Sequence, residues 1–600
     1  MNKKIISFIS VLIFFISVAQ SETTINLSDY DYPTQTDEND SLYNIVIMGT
    51  NDIHGAYFPQ TIQIPGTEKS YKSGGLQYLG NYINIMRETW KDRFFWLDAG
   101  DQFQGGLETK ISKGELMTEF YNKMKLNGAT IGNHEWDYGQ EYLFNRSEHS
   151  KFSYIVANVK KDGVSPFMKN QVSYQIFQVG KIKLGVIGLT TLETLTTTSG
   201  DLEGITFQNY QNVVREMIKI IKGQCDAIAL LVHFGTECPN HSKDEKYKIG
   251  MRDKNTKMPE CNTANELSLF LKGIEKDSID IVISGHTHEI VHQWINDIPV
   301  ISSKNNGKYT NLIYLTFSKN AEGKYTLLKE QIKMEGPLPV CEKVFMNIKR
   351  CDSMSSSEIQ EAGDLVNYMF HEKEVIAEPE LEELTNFWWC KYEEYVKSVI
   401  TKTDNLLSQS FDKEEALGNI YSDFFRRRTG AEISILNPGS FRTTWNIGNI
   451  TKADIYSMSP FENSITSFQM MGAELRRMLF EIQSGSCAFY PTSGLKQIVQ
   501  MNPKKLIEIK LFDGVTEEEI QDQVIYTIAT NSFLIPFGGD DFAKVLKWYE
   551  KSNVKVYGIF TEQLIEYLQE ITEIEVSKFV DKYNPRLRIH RKSNLRKEIS

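Results

Sequence analysis

Residues 44–54 read Asn-Ile-Val-Ile-Met-Gly-Thr-Asn-Asp-Ile-His, a short apolar run that ends in a carboxylate and an imidazole. Helical periodicity follows at 75–88, where Leu76, Leu79, Ile83 and Met86 recur on one face. Including the first run, we predict strands at 44–48, 94–97, 183–187, 227–232 and 279–283. Because strands alternate with helices, the predicted fold class is α/β (α+β layered).

Polar residues of metal-binding type stand at five places, four of them after a predicted strand. They are Asp52 and His54, Asp98 and Asp101, Asn133 with His134 and Asp137, His233, and His286 with His288. Strand ends in an open α/β sheet converge on one crevice, so we expect these side chains to meet in space. Taken singly, each has a simpler explanation, such as a turn or a core histidine. Their occurrence together favours a site.

Seven of these residues form a candidate ligand set of two Asp, one Asn and four His: Asp52, Asp101, Asn133, His54, His233, His286 and His288. Imidazole with carboxylate suits Zn²⁺, Mn²⁺ or Fe²⁺ rather than a calcium cage of oxygens. Seven ligands exceed the need of one four-coordinate ion. We therefore predict two divalent ions that share a carboxylate, with zinc favoured. His149, His241 and His292 are interpreted as surface or structural residues.

The N-terminus indicates a compartment. A basic start, an apolar run at 5–19 and small residues at 19–21 are typical of a secretory signal peptide, with an uncleaved anchor as the alternative. The basic C-terminus lacks the hydrophobic tail of a GPI signal. The sequence contains no second long apolar run that would predict a transmembrane helix. We expect a secreted, extracellular or lumenal protein without a stable membrane anchor.

The rest of the chain divides by pattern. We predict a signal peptide at 1–20, a flexible lead-in at 21–42, a first domain at 43–345, a helical linker at 346–405, a smaller α/β domain at 406–588 and a polar tail at 589–600. The linker prediction depends on an acidic, aromatic stretch at about 358–401.

Charge and cysteine content limit the function further. A formal net charge of −12 over 600 residues excludes broad binding to nucleic-acid polymers, although an acidic surface can hold a local anion pocket. The seven cysteines suit an oxidising compartment; Cys238 with Cys261 and Cys341 with Cys351 are candidate disulfides, and Cys225 is expected to be buried. Glycosylation sequons begin at Asn26, Asn39, Asn145, Asn240 and Asn449, so a glycoprotein is expected if the host compartment glycosylates.

The motifs N-D-x-H, G-D-x-x-Q-G, G-N-H-E-x-D, H-x-G and G-H-x-H resemble those of the calcineurin-like metallophosphoesterases, in the version of the 5′-nucleotidase/UDP-sugar hydrolase family. The resemblance continues in the second half of the chain. The matching segments there are Leu-Gly-Asn at 417–419, Asn437 to Arg442, Pro-Phe-Glu-Asn at 460–463, Ser-Gly-Leu at 493–495, and residues 530–540. It covers about 43–585 and implies a sandwich of sheets flanked by helices, followed by a C-terminal substrate-binding domain.

The resemblance also implies roles. One ion would be held by Asp52, His54 and His288, the other by Asn133, His233 and His286, with Asp101 bridging. His134 would be the catalytic imidazole and Asp137 would orient it. Metal-bound hydroxide would attack phosphorus in line with the departing oxygen.

In the C-terminal half the resemblance implies a nucleoside site. Phe461 and Phe533 would sandwich the base, Arg442 would clamp phosphate, Asp540 would bind ribose, and Asn437 would contact substrate. Two departures alter this site. Lys413 stands where the family usually has an arginine, and the loop from Phe533 to Asp540 is one residue longer, so Phe537 is an alternative stacking ring.

We therefore predict a secreted two-metal enzyme that hydrolyses nucleoside 5′-monophosphates to nucleoside and phosphate. UDP-sugars, nucleoside di- or triphosphates and cyclic nucleotides remain alternative substrates. A non-catalytic extracellular nucleotide-binding protein is the alternative from another class. The partner is a small-molecule nucleotide, and the oligomeric state stays open.

Overall fold

The structure is a computed structural model. It describes residues 24–27, 32–35, 41–64, 70–105, 107–198, 200–238, 249–352, 359, 361–408, 413–441, 444–459, 463–485, 489–501, 505–534, 554–581 and 585–591. The predicted signal peptide at 1–20 lies outside these residues, as does most of the predicted polar tail. The described residues form two compact units, the first within 1–105 and 113–385 and the second within 106–112 and 386–600.

The first unit contains two large sheets. One sheet has nine strands, in the order Gly250–Arg252, Lys333–Pro339, Tyr309–Lys319, Leu42–Thr50, Phe94–Asp98, Gly128–Ala129, Ser153–Ile155 and Gln171–Val172, with Tyr325–Leu327 beside Tyr309–Lys319. The other has six, in the order Tyr174–Val179, Ile182–Thr190, Ala227–His233, Ile281–Ser284, Ile298–Ser303 and Ile290–Ile295. Two-stranded ladders join Gln60–Gln63 to Ser70–Ser73 and Val159–Lys161 to Ile205–Phe207.

The two sheets pack face to face. Ile45 and Ile47 of the first sheet share one buried cluster with Leu231 of the second. Leu230, the residue before it on the same strand, points to the opposite face and packs with helices Tyr210–Ile221 and Glu266–Lys272. Both faces of this strand are therefore apolar, as in a buried parallel strand. Each such side chain stabilises the fold by about 1.5–3 kcal/mol.

Helices of the described chain lie in both units. They are Leu76–Trp90, Leu107–Ser112, Glu115–Lys123, Gln140–His149, Thr194–Thr197, Tyr210–Ile221, Glu266–Lys272, Pro379–Val396, Ala416–Thr429, Lys452–Met458, Gly472–Gly485 and Phe560–Gln569. The α/β layered fold class is confirmed. The predicted helix at 75–88 is Leu76–Trp90, and the five predicted strands all occur, each reaching one to three residues further at its carboxyl end.

Residues 346–405, expected to be a helical linker, contain strands as well as a helix. Leu365–Phe370 is a strand in which Val366, Tyr368 and Phe370 are buried in alternation. It pairs in parallel with Thr24–Asn26, so this part of the predicted lead-in is ordered strand rather than flexible chain. Helix Pro379–Val396 and strand Val399–Thr403 come after Leu365–Phe370 in the chain. The period of two in residues 365–370 explains the strand.

The second unit has a five-stranded and a four-stranded sheet. The first runs in the order Thr492–Ser493, Ile433–Ile435, Ile525–Asn531, Ser464–Met471 and Lys555–Ile559, and the second in the order Glu517–Glu518, Lys505–Phe512, Leu495–Met501 and Leu587–Arg591. Val399–Thr403 pairs with Gly448–Thr451. Helix Ala416–Thr429 buries Leu417, Ile420 and Phe424 in the core of this unit.

Two disulfides close loops of the first unit. They join Cys238 to Cys261 and Cys341 to Cys351, as the spacing predicted. Among the other described cysteines, Cys225 is half-buried and Cys390 is exposed. Within the described chain, none of the helices combines the length and the apolar character that crossing a bilayer requires.

Candidate metal centre

The seven candidate ligands share one position, at or shortly beyond the carboxyl end of a strand; they are Asp52, His54, Asp101, Asn133, His233, His286 and His288. Leu42–Thr50 runs parallel to Phe94–Asp98 in one sheet, and Ala227–His233 runs parallel to Ile281–Ser284 in the other. Neighbouring parallel strands end at the same edge of a sheet, so the polar residues of each sheet lie on one side of the unit.

Five of these residues have a left-handed backbone. The φ angles are 49° at Asp52, 50° at His54, 56° at Asp101, 80° at His286 and 56° at His288. A residue other than glycine in this region costs on the order of 1–3 kcal/mol, and such residues concentrate at functional sites. Backbone and side chain support one another here, because the His286 N–H donates to Asp52 Oδ1 at 3.0 Å.

Asp52, His54, Asp101 and His288 bring four potential ligand atoms within 4.8 Å of one another. Nε2 of His54 lies 2.8 Å from Nε2 of His288 and 3.7 Å from Asp101 Oδ2. Nε2 of His288 lies 3.5 Å from Asp52 Oδ1. Ligands about 2.0–2.3 Å from one ion lie roughly 3–4 Å from each other, so this group could hold one ion.

A second group contains Asp101, His233 and His286, again within 4.8 Å. Asp101 Oδ2 lies 3.1 Å from Nε2 of His233. The side-chain oxygen of Asn133 lies 3.1 Å from the same nitrogen and 3.0 Å from Nδ1 of His286. Asp101 therefore belongs to both groups, and its carboxylate stands between them.

Hydrogen bonds to the outer ring nitrogens fix the imidazoles. Nδ1 of His54 lies 2.6 Å from the Gln104 carbonyl, and Nδ1 of His233 lies 2.7 Å from the Ala99 carbonyl. A carbonyl only accepts, so each Nδ1 carries a proton and Nε2 is the ring atom that faces the cluster. Metal-binding histidines are oriented in this way.

Burial and neighbouring charges shift the pKa values of these groups in opposite directions. Burial would raise the pKa of Asp101, but His233 and His134 outweigh burial and hold that pKa well below its ordinary value. Burial lowers the pKa of His54 to about 4 despite Asp101. Burial would also lower the pKa of His233, yet Asp101 raises it to about 9. The cluster thus contains ionised Asp101 and neutral His54 at neutral pH.

His134 lies beside the first group, with its ring centroid 5.3 Å from that of His54. Its Nδ1 lies 2.5 Å from Asp137 Oδ2, and the Asp137 side chain is 3% exposed against 28% for His134. Burial would lower the pKa of His134, but Asp101 and Asp137 raise it to about 10. The residue can therefore hold a proton that it can give to a bound group.

Glu135, which the sequence analysis did not single out, supports the ligand loops. Its buried carboxylate accepts hydrogen bonds from the backbone N–H groups of Asp101 at 2.9 Å, Gln102 at 2.5 Å and Gly132 at 2.5 Å. These donors lie in the two loops that carry Asp101 and Asn133. The glutamate of the G-N-H-E motif could have been recognised as the residue that joins them.

Comparison with known proteins supplies the family. Residues 45–289 match the model of the calcineurin-like phosphoesterases, and residues 399–547 match the 5′-nucleotidase C-terminal domain. The chain belongs to the 5′-nucleotidase family of metallophosphoesterases. It is thus a hydrolase of a family that uses divalent metals, and its Asp/His cluster could bind them.

Relatives of this family member have varied names. The chain is 24% identical to the NAD 5′-nucleotidase of Haemophilus influenzae, over 88% of this chain and 90% of that protein, and 24% identical to an apyrase of Tabanus yao, over 89% and 93%. Its fold is similar to a putative 5′-nucleotidase of Staphylococcus aureus solved with α-ketoglutarate, at 18% identity, TM-score 0.61, and coverage of 91% and 100%.

In the second unit of this 5′-nucleotidase family member, two predicted substrate residues follow neighbouring strands of one sheet. Asn437 and Phe533 follow the neighbouring parallel strands Ile433–Ile435 and Ile525–Asn531, and Asn531 Nδ2 donates to Asn437 Oδ1 at 2.9 Å. Phe533 is 42% exposed. Lys413 is exposed and pairs with Glu415. Arg442, Phe461, Phe537 and Asp540 lie outside the described residues.

Proposed function

We propose that the chain is a two-metal phosphohydrolase that converts nucleoside 5′-monophosphates to nucleoside and phosphate. The observation that carries this proposal is the position of Asp101, whose carboxylate is common to two adjacent groups of potential ligands. Paired ions that share a carboxylate are a recurring arrangement for phosphoester hydrolysis. A mononuclear site or a purely structural histidine cluster has no need of a shared, buried carboxylate.

The residues present fit two divalent ions. Asp52, His54 and His288 would hold one, Asn133, His233 and His286 the other, and Asp101 would bridge them. Two carboxylates, one amide and four imidazoles are a donor set suited to zinc, with Mn²⁺ or Fe²⁺ as alternatives. When bound, such ions supply Lewis acidity that lowers the pKa of a coordinated water to about 7 and offsets phosphoryl charge.

His134 would act on the substrate directly. Asp137 occupies its Nδ1, so Nε2 is the ring atom left to face a bound group. A protonated Nε2 would stabilise charge on the phosphoryl oxygens or give its proton to the departing ribose oxygen. Asp137 would keep the ring in place and stabilise its charged form.

The second unit would supply specificity. Phe533 is an exposed ring two residues beyond the strand that ends at Asn531, and Asn531 donates a hydrogen bond to Asn437. An aromatic face stacks on any base, which suits a nucleoside site. Arg442, Phe461 and Asp540 are assigned to the same site by motif alone, and Lys413 would replace a clamp arginine. We also propose secretion by the predicted signal peptide.

Chromatographic analysis of the products formed from AMP, ADP, UDP-glucose and cyclic AMP, with Zn²⁺ or Mn²⁺ added, tests the proposal. We expect AMP to have the largest kcat/KM. Preference for another of these compounds would reassign the substrate. Tight nucleotide binding without turnover of any of the four compounds would contradict the proposed enzymatic function. It would favour a non-catalytic nucleotide-binding protein.

A further inference from the structure

Residues 191–198 contact two separate parts of the metal centre. This segment follows the strand Ile182–Thr190 and contains the short helix Thr194–Thr197. It is held by its own hydrogen bonds: Thr194 Oγ1 donates to the Thr191 carbonyl at 2.8 Å, and the Thr197 N–H donates to the Glu193 carbonyl at 3.0 Å. Thr191 and Thr194 are fully buried, so the segment has a fixed base from which its polar side chains project.

The first contact is made by Glu193. Its Oε2 lies 3.0 Å from Nε2 of His286. A carboxylate accepts, so Nε2 of His286 carries a proton, which leaves Nδ1 as the ring atom that faces the second ligand group. Nδ1 lies 3.0 Å from the side-chain oxygen of Asn133.

The second contact is made by Thr198. Its hydroxyl donates to Asp137 Oδ1 at 2.7 Å, while the other oxygen of the same carboxylate holds His134. The Gly200 N–H donates to the Thr198 hydroxyl oxygen at 3.1 Å, which directs the hydroxyl proton toward Asp137. Both oxygens of the carboxylate are therefore engaged, and its plane is fixed.

We propose that segment 191–198 is a positioning element of the centre, in which Glu193 sets the tautomer and orientation of His286 and Thr198 sets the plane of Asp137. The inference rests on the proposed two-metal function. Neither residue needs to touch the substrate. Their effects are separable, because Glu193 acts on a ligand and Thr198 acts on the partner of the catalytic imidazole.

The Glu193 contact is tested by metal affinity, which needs no turnover. Zn²⁺ affinity is measured by competition with a fluorescent chelator for the unaltered chain, Glu193→Ala and Glu193→Gln. We expect Glu193→Ala to weaken one of two sites about 10- to 100-fold. Glu193→Gln should retain most of the affinity, since an amide oxygen still accepts from Nε2. Glu216→Ala, an exposed glutamate on helix Tyr210–Ile221, is the matched control and should change neither site.

Unchanged affinity at both sites in Glu193→Ala, or equal losses in the alanine and glutamine variants, would overturn this part of the proposal. If the chain binds Zn²⁺ at two sites but hydrolyses no nucleotide, the proposed function is wrong. The Zn²⁺ affinities of the variants would still decide whether Glu193 positions His286. The two failures are therefore distinguishable.

The Thr198 contact is tested by Thr198→Val and Thr198→Ser. With p-nitrophenyl phosphate as substrate, we expect the valine variant to lose about 10- to 100-fold in kcat with little change in KM or bound zinc. Serine keeps the hydroxyl and should restore kcat. A second readout, the downfield proton resonance of the His134–Asp137 hydrogen bond, should shift in the valine variant alone. Equal behaviour of valine and serine variants in both readouts would refute the contact's role.

Discussion

Nδ1 of His134 lies 2.5 Å from Oδ2 of Asp137, a contact between a partly exposed imidazole and a buried carboxylate. Burying a carboxylate is costly unless it is paired, and here the imidazole and Thr198 both bind it. The pair is also near Asp101, whose charge supports the protonated ring. This geometry assigns proton donation to His134 and support to Asp137.

Replacement of His134 should therefore separate catalysis from metal binding. We expect His134→Ala to lower kcat for AMP by about 10²–10⁴-fold, because the proton donor is lost. Bound metal should remain at the unaltered level, since His134 is not in either ligand group. Steady-state kinetics and elemental analysis of the same preparation check both expectations. Asp137→Asn should give a smaller loss, and unchanged kcat in His134→Ala would contradict the assignment.

The shared position of Asp101 predicts unequal effects of ligand removal. Asp101→Ala should abolish tight binding at both sites, because each group loses a ligand. His288→Ala should weaken only the first site, so about one ion per chain should remain. His149, an exposed residue of helix Gln140–His149, gives the control variant His149→Ala. The measurement is metal stoichiometry after gel filtration, and retention of both ions by Asp101→Ala would argue against a bridge.

Metal removal should be reversible if the fold holds the ligands in place. Dialysis against a chelator is expected to abolish phosphate release, and added Zn²⁺ or Mn²⁺ should restore it. Circular dichroism should change little, since hydrogen bonds to the Gln104 carbonyl, the Ala99 carbonyl and the Glu193 carboxylate fix three of the four imidazoles without an ion. Full activity of metal-free protein would exclude the proposed chemistry.

Stacking in the second unit predicts an effect on KM. Phe533→Ala should weaken substrate binding by about 1–3 kcal/mol, with little change in kcat at saturation. Phe480 has a similar exposure, 43% against 42%, and lies on helix Gly472–Gly485, so Phe480→Ala is a matched control. Kinetics with AMP compare the two variants. Equal KM values in both would remove Phe533 from the nucleoside site and favour Phe537.

The sequence predicted the parts of this structure that depend on local pattern. The apolar run at 44–48 indicated a buried strand. Asp52 and His54 follow shortly after that run, so they were expected at the edge of a sheet. Contacts set by the whole fold were not predictable in this way. The strand Leu365–Phe370 needs Thr24–Asn26 as its neighbour, and Glu193 meets His286 only after two strands of one sheet have brought their ends together.

Close packing between the layers gives a last prediction, on stability. Gly188 lies in the strand Ile182–Thr190, where an added Cβ would stand 1.6 Å from the Ile155 carbonyl oxygen. That oxygen is backbone and cannot rotate away, so Gly188→Ala should destabilise the first unit by at least about 3 kcal/mol, the upper part of the range for overpacking. Gly250→Ala is the control, because nothing lies within 4 Å of its added Cβ and the expected change is within about 0.5 kcal/mol. Thermal unfolding followed by calorimetry should show a lower Tm for the Gly188 variant alone, and equal transitions in both variants would mean that the two layers tolerate displacement at this contact.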